Sequence, residues 1–267
     1  MSNILNSKIM FEVSTSQFLG EVIGSFTLLA LGLGINMNLN LKKSFNEGNN
    51  KAAISGPLSW GFAVAMAIVI AMPFKSGAHF NPAITISFAL AGLFPWASVL
   101  PYITAQAIGA FLGAVVAWMV YRSQFKATRD NPKVLLDVFA TNAAIRDSKI
   151  NFANEMVATF FLVFISLLMV TPQIELGGIT GNVGLGANGA LINGFLIFTL
   201  GMAFGGVTGW SMNPTRDLMP RLVHQLLPLK EKTSSDWGYG IRIASIAPIS
   251  GGLLAGSIYL LVRPFIF

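Results

Sequence analysis

The chain has 267 residues, of which 54% are hydrophobic and only 10% charged, against roughly 25% charged in a soluble globular domain. That is a membrane composition. The net charge of +6 gathers in connecting segments, with no basic helix or aromatic-basic motif that would suit a nucleic-acid partner, and the lack of cysteine excludes disulfides, thiolate metal sites and cysteine nucleophiles.

The first 15 residues, MSNILNSKIMFEVST, are too polar for the hydrophobic region of a cleavable signal. The apolar run after them lacks a clear small-residue cleavage site and reads as the first membrane helix. About 20 mostly apolar residues span a bilayer, and six stretches qualify: 16–36, 53–73, 96–120, 152–172, 188–207 and 241–263. Two further apolar pieces, NPAITISFALAG at 81–92 and NPTRDLMPRLVH at 213–224, are too short. Each opens on Asn-Pro, in which Asn caps free backbone N–H groups and Pro fits the first helical position. They read as half-helices. Backbone that is not helical at membrane depth is tolerated only where protein buries it or where it lines an aqueous cavity, so two half-helices imply a pathway.

The spacing reveals an internal repeat. Glu21 in the first span and Asn81 are 60 residues apart; Glu155 in the fourth and Asn213 are 58 apart. The predicted architecture is an all-α membrane protein, one channel domain over 1–267, with repeat halves at approximately 16–122 and 150–264. Three spans per half is an odd number, so the halves have opposite orientations. Inverted repeats with paired broken helices point to a transport site at the midplane.

In such a repeat the half-helices meet N-terminus to N-terminus, each end carrying roughly half a positive charge. Asn81 and Asn213 can cap their helices through the amide oxygen while the NH₂ donates into the lumen. Two such donors on one passing oxygen interrupt a proton-conducting water chain, and the dipole ends repel cations. Arg216, in the first turn of the second half-helix, is a buried cation beside a positive helix end, which marks a functional site by default. Glu21 and Glu155 lie inside spans; their matched repeat positions favour a scaffold role, accepting from the loops before the half-helices, over a proton relay. His79 reads as a residue that orients its loop. Gly20, Gly24, Gly109, Gly113, Gly251, Gly252 and Gly256 fall in spans and permit close helix packing. No metal-ligand spacing, catalytic constellation or cofactor motif is present in the sequence; with two His residues and no Cys, an intramembrane enzyme has little to stand on.

SGAHFNPAIT (76–85) and TGWSMNPTRDLMPRL (208–222), with Glu21 and Glu155, resemble the aquaporin superfamily over essentially the whole chain. Asp217 after Arg216, then Arg221, Pro248-Ile249 and SWGFAVAMAI at 59–68 are similar to its glycerol facilitator branch. The resemblance implies six spanning helices with two re-entrant half-helices and pore motifs Asn81-Pro82-Ala83 and Asn213-Pro214-Thr215. It further implies a selectivity filter of Trp60, Gly201, Trp210 and Arg216, with Gly201 leaving room for a carbon backbone. Carbonyls of Gly77, Ala78, His79, Gly209, Trp210 and Ser211 would form solute ladders, with Glu21, Glu155 and Asp217 in support. It also implies a homotetramer in the cell membrane, no cofactor, and as solutes glycerol, with dihydroxyacetone, urea, hydrogen peroxide or lactic acid as further neutral candidates beside water.

Three features depart from the family. Trp210 stands where the branch usually has Phe, adding an N–H donor, and Thr215 replaces the usual Ala. The family's cytoplasmic termini would leave only Lys8, Lys75 and Arg263 inside and put Lys42, Lys43, Lys51 and the basic 121–149 loop outside, against the positive-inside count; the re-entrant motifs are the more specific signal. The competing functions are a mainly water-conducting pore and, from another class, a proton-coupled secondary transporter.

Overall fold

The computed structural model describes residues 13–47, 52–169, 173–176, 179–182, 186–229 and 232–266. Lys8, Lys51 and the end of the fourth predicted span, 170–172, lie outside the described residues. The long helices are α1 (Thr15–Asn40), α2 (Ala52–Ala71), α4 (Val99–Val120), α7 (Ser148–Leu168), α8 (Ala187–Thr208) and α11 (Ala247–Val262). The last is entered through α10 (Trp237–Ile241) and one wide turn at Arg242–Ile246, so that it spans over Trp237–Phe265. Six helices are therefore long and apolar enough to cross a membrane, as the hydropathy pattern predicts. Their outward faces carry large apolar side chains such as Phe62, Ile70, Leu100, Phe195 and Leu261.

The spans begin or end a few residues beyond the apolar stretches because polar caps, invisible to hydropathy, set helix ends. The Ser14 hydroxyl accepts from Gln17 N while the Gln17 side chain accepts from Ser14 N, both at 3.1 Å, which closes a capping box on α1. Asp147 caps α7 by accepting from Lys149 N and Ile150 N.

The half-helices are α3 (Pro82–Leu90) and α9 (Pro214–Leu226). At 1.5 Å per residue they reach about 14 and 20 Å, short of a hydrocarbon core of about 30 Å. Their packing is crossed: α3 lies against α11 and α9 against α4, so each half-helix is held by the last long helix of the opposite half. The second helices of the halves, α2 and α8, also cross closely; a Cβ on Gly61 would sit 2.4 Å from the Gly194 carbonyl oxygen, so only glycine allows this contact. This is the repeat with paired half-helices that the sequence pattern predicts.

Two connections hold structure that the sequence pattern does not announce. The basic 121–149 segment folds as α5 (Arg122–Ala127) and α6 (Pro132–Asp137), anchored by buried Phe125, Leu135, Leu136 and Phe139. A short antiparallel hairpin, β1 (Gln173–Leu176) with β2 (Ile179–Asn182), lies between α7 and α8.

Candidate transport pathway

The two loops before the half-helices have the same backbone design. Gly77, Ala78 and Phe80 have φ of 83°, 55° and 49°; Gly209, Trp210 and Met212, in the corresponding places, have 77°, 40° and 48°. Four non-glycine residues in the left-handed region carry strain that the surroundings must hold. Glu21 and Glu155 do so. Glu21 accepts from His79 N at 2.9 Å and Phe80 N at 2.8 Å; Glu155 accepts from Ser211 N and Met212 N, both at 2.9 Å. Each carboxylate has a further donor, Gln106 Nε2 at 2.8 Å for Glu21 and Thr208 Oγ1 at 2.5 Å for Glu155.

This alternating backbone turns successive carbonyls away from the chain. Among the described residues none donates a hydrogen bond to the carbonyl of Gly77, Ala78, His79, Gly209, Trp210 or Ser211. Unpaired carbonyls at membrane depth belong beside water.

At the meeting point, Asn81 Oδ1 accepts from Ala83 N at 2.9 Å, and Asn213 Oδ1 accepts from Thr215 N at 3.1 Å and Arg216 N at 3.2 Å. The amide nitrogens cross over: Asn81 Nδ2 donates to the Met212 carbonyl and Asn213 Nδ2 to that of Phe80, both at 2.8 Å. One N–H of each amide is thus consumed by the opposite half, and among the described residues the other has no partner. Thr215 adds a bond from its hydroxyl to Asn213 Oδ1 at 2.9 Å. Pro82 and Pro214 occupy the first helical positions, and Ala83 is buried in the first turn of α3.

Two cavities lie along this axis. A wide one of about 360 Å³ is lined by Asn36, Lys133, Asp137, Thr141 and Asn142 among others. A narrow one of about 90 Å³ runs past Val64, Ile68, His79, Asn81, Ile197 and Asn213. Trp60, Trp210 and Arg216 line both cavities and so frame the passage between them. The Arg216 guanidinium carbon lies 4.3 Å from the centroid of the Trp60 ring, and Nη1 reaches the Phe139 carbonyl at 3.5 Å. Asp217 does not pair with it. That carboxylate accepts from Thr141 N at 2.8 Å and Oγ1 at 2.6 Å and from Arg221, whose Nη1 donates to the Ser235 carbonyl at 2.9 Å. Asp217 therefore ties α9 to the wall of the wide cavity and leaves Arg216 facing the passage.

Gly201 is not on the cavity wall. A Cβ there would lie 3.1 Å from Trp210 Cε2, so the space it vacates holds the indole rather than a solute. His79 is packed by the rings of Phe88, Phe94 and Tyr102, and its Nδ1 lies 3.1 Å from Thr85 Oγ1, in keeping with an orienting role.

Sequence reasoning passes over Asn36, Gln106 and Thr208. Asn36 Oδ1 accepts from Trp60 Nε1 at 2.9 Å, and its Nδ2 donates to the Val138 carbonyl at 3.3 Å. The available signal is a polar amide in an apolar span, which is costly unless paired. The wide turn at Arg242–Ile246 is likewise unannounced; within it the Ala244 carbonyl, four residues before Pro248, which has no N–H to donate, accepts from Ser211 Oγ at 3.3 Å.

The profile of the Major intrinsic protein family matches residues 9–259. The chain is 41% identical over 242 residues to glycerol uptake facilitator protein 3 of Lactiplantibacillus plantarum, covering 91% of this chain and 93% of the relative. It is 39% identical over 250 residues to a probable glycerol uptake facilitator protein of Thermotoga maritima, covering 91% and 98%. The X-ray structure of the aquaglyceroporin from Plasmodium falciparum superposes with a TM-score of 0.78 at 26% identity, over 94% of this chain and 98% of that one. With its paired half-helices, crossed asparagines and framed passage, this integral membrane chain belongs to the Major intrinsic protein family.

Proposed function

We propose that this protein is a passive channel for glycerol and similar small uncharged solutes, with water as a co-permeant. One observation carries the reading: the passage is framed by two aromatic side chains and one guanidinium. Aromatic faces suit the CH groups of a polyol, while Arg216 and the Trp210 N–H suit its hydroxyls. The relatives that bear the name glycerol uptake facilitator support the same solute. The reading is of a channel and not of an enzyme.

The six unpaired loop carbonyls would accept from solute hydroxyls in sequence, and Asn81 and Asn213 would donate to the same solute at the midplane. Their helix ends and Arg216 would bar protons and cations. The assembly is a homotetramer with one pore per subunit in the cell membrane. Six crossings put both termini on one side, which we assign to the cytoplasm, with the wide cavity opening outside.

The test is stopped-flow light scattering of proteoliposomes under water and glycerol gradients. Fast reswelling in glycerol, altered in Trp210→Phe, is the expected result. Rapid water flow without glycerol entry would instead leave a water pore, and accumulation of solute against a gradient driven by a pH difference would indicate a coupled transporter.

A further inference from the structure

We propose that Gly205, on the wall of the wide cavity beside the passage, sets the aperture of the passage by seating the Trp210 indole and so decides whether a carbon-backbone solute fits. The proposal rests on the reading of Trp60, Trp210 and Arg216 as the constriction.

The indole lies flat along α8, across two glycines one turn apart. A Cβ on Gly205 would stand 2.2 Å from Cε3 and 2.6 Å from Cζ3 of Trp210. Carbon atoms rest at about 3.5–4.0 Å, so the ring would have to shift by more than an ångström. Three of its four escapes are closed. The Gly201 end is filled: a Cβ there would stand 2.9 Å from Pro57 Cβ and 3.1 Å from Trp210 Cε2. The ring cannot be drawn back by its main chain, because Trp210 sits at φ 40° in a loop whose next two N–H groups are held by Glu155. It cannot move through the helix on which it lies. What remains is the lumen, where Trp60 and Arg216 stand.

Residue 205 and residue 210 are therefore coupled in size. A large aromatic at 210 leaves a glycerol-wide passage only while 205 is glycine. The solutes admitted are slim neutral polyols; any side chain at 205 narrows the passage toward one that water alone crosses. Gly206, the next residue on the same helix and on the wall of the same wide cavity, provides a control, since a Cβ there meets nothing within 4 Å and adds a methyl group without displacing the indole.

The experiment compares glycerol and water fluxes in proteoliposomes holding equal amounts of wild type, Gly205→Ala, Gly206→Ala, Trp210→Phe and Gly205→Ala/Trp210→Phe. A single methyl group in a tight site changes discrimination by about tenfold or more, and a fall of about that size in the glycerol-to-water ratio is expected for Gly205→Ala. Gly206→Ala keeps the wild-type ratio. The double variant, whose smaller ring clears the new methyl, recovers most of the glycerol flux of Trp210→Phe. An unchanged ratio in Gly205→Ala, or a double variant that remains as poor as Gly205→Ala, overturns the proposal while the channel reading stands. If Gly205→Ala does not fold, the double variant decides alone: folding with glycerol flux supports the coupling and failure rejects it. A wild type that passes no glycerol overturns the channel reading itself, and the proposal with it.

Discussion

The guanidinium of Arg216 lies over the face of Trp60, 4.3 Å from the ring centroid, and the indole is itself fixed from behind by Asn36 at 2.9 Å. Trp60 is nearly fully buried, so its N–H needs that acceptor. Asn36→Leu leaves it unpaired at a cost of about 1–3 kcal/mol and frees the ring to turn. The expected outcome is a lower midpoint of thermal unfolding in detergent together with a lower glycerol-to-water ratio, and the ratio is what separates a positioning role from a purely structural one.

Removing the charge tests exclusion. Arg216→Ala takes away the one cation that lines both cavities and widens the passage. Water and urea fluxes should rise, and a pH-sensitive dye trapped in the vesicles should report a proton leak above that of wild type. A variant that admits bulkier solutes while remaining proton-tight would assign proton exclusion to the asparagine pair alone.

The carboxylates behind the loops hold strain in place. Glu155→Gln replaces one acceptor oxygen with a donor, which faces either Thr208 Oγ1 and Ser211 N, the partners of Oε1, or Met212 N, the partner of Oε2. Hydrogen bonds to a charged group contribute about 1.5–3 kcal/mol. The variant should unfold at a lower temperature and carry less glycerol per folded molecule, and Glu21→Gln should behave alike because its partners are equivalent. Flux that stayed normal at any pH gradient would also remove both residues from consideration as proton carriers.

Asp217 and Arg221 form a buried ion pair inside a wider set of bonds. Deleting one partner strands the other, typically at 3–5 kcal/mol. Arg221→Met should therefore destabilise by about that much, whereas Asp217→Asn/Arg221→Met should recover part of the loss. Chemical unfolding of the two variants measures the difference.

Thr215→Ala makes a contrasting case. Asn213 Oδ1 keeps its two backbone donors when the threonine hydroxyl is lost, so the half-helix stays capped. Glycerol flux should remain within about twofold of wild type, since a redundant neutral bond contributes only about 1 kcal/mol.

Much of this protein is determined by local sequence. Six apolar runs set six spans because a bilayer leaves no alternative partner for backbone N–H and C=O groups. Asn-Pro at 81 and 213 starts each half-helix by capping chemistry that needs only neighbouring residues, and the matched placement of Glu21 and Glu155 announces the repeat. Tertiary structure decided the rest. The space opposite Gly201 is taken by the Trp210 indole, a contact between residues on different elements that spacing does not encode. Asp217 faces Arg221 and Thr141 rather than Arg216 because the 121–149 segment folds back over the wide cavity and brings its N–H and hydroxyl within reach. Composition can show that a polar side chain is costly in a membrane. Which partner offsets that cost depends on how distant helices cross, and that is settled only when the chain packs.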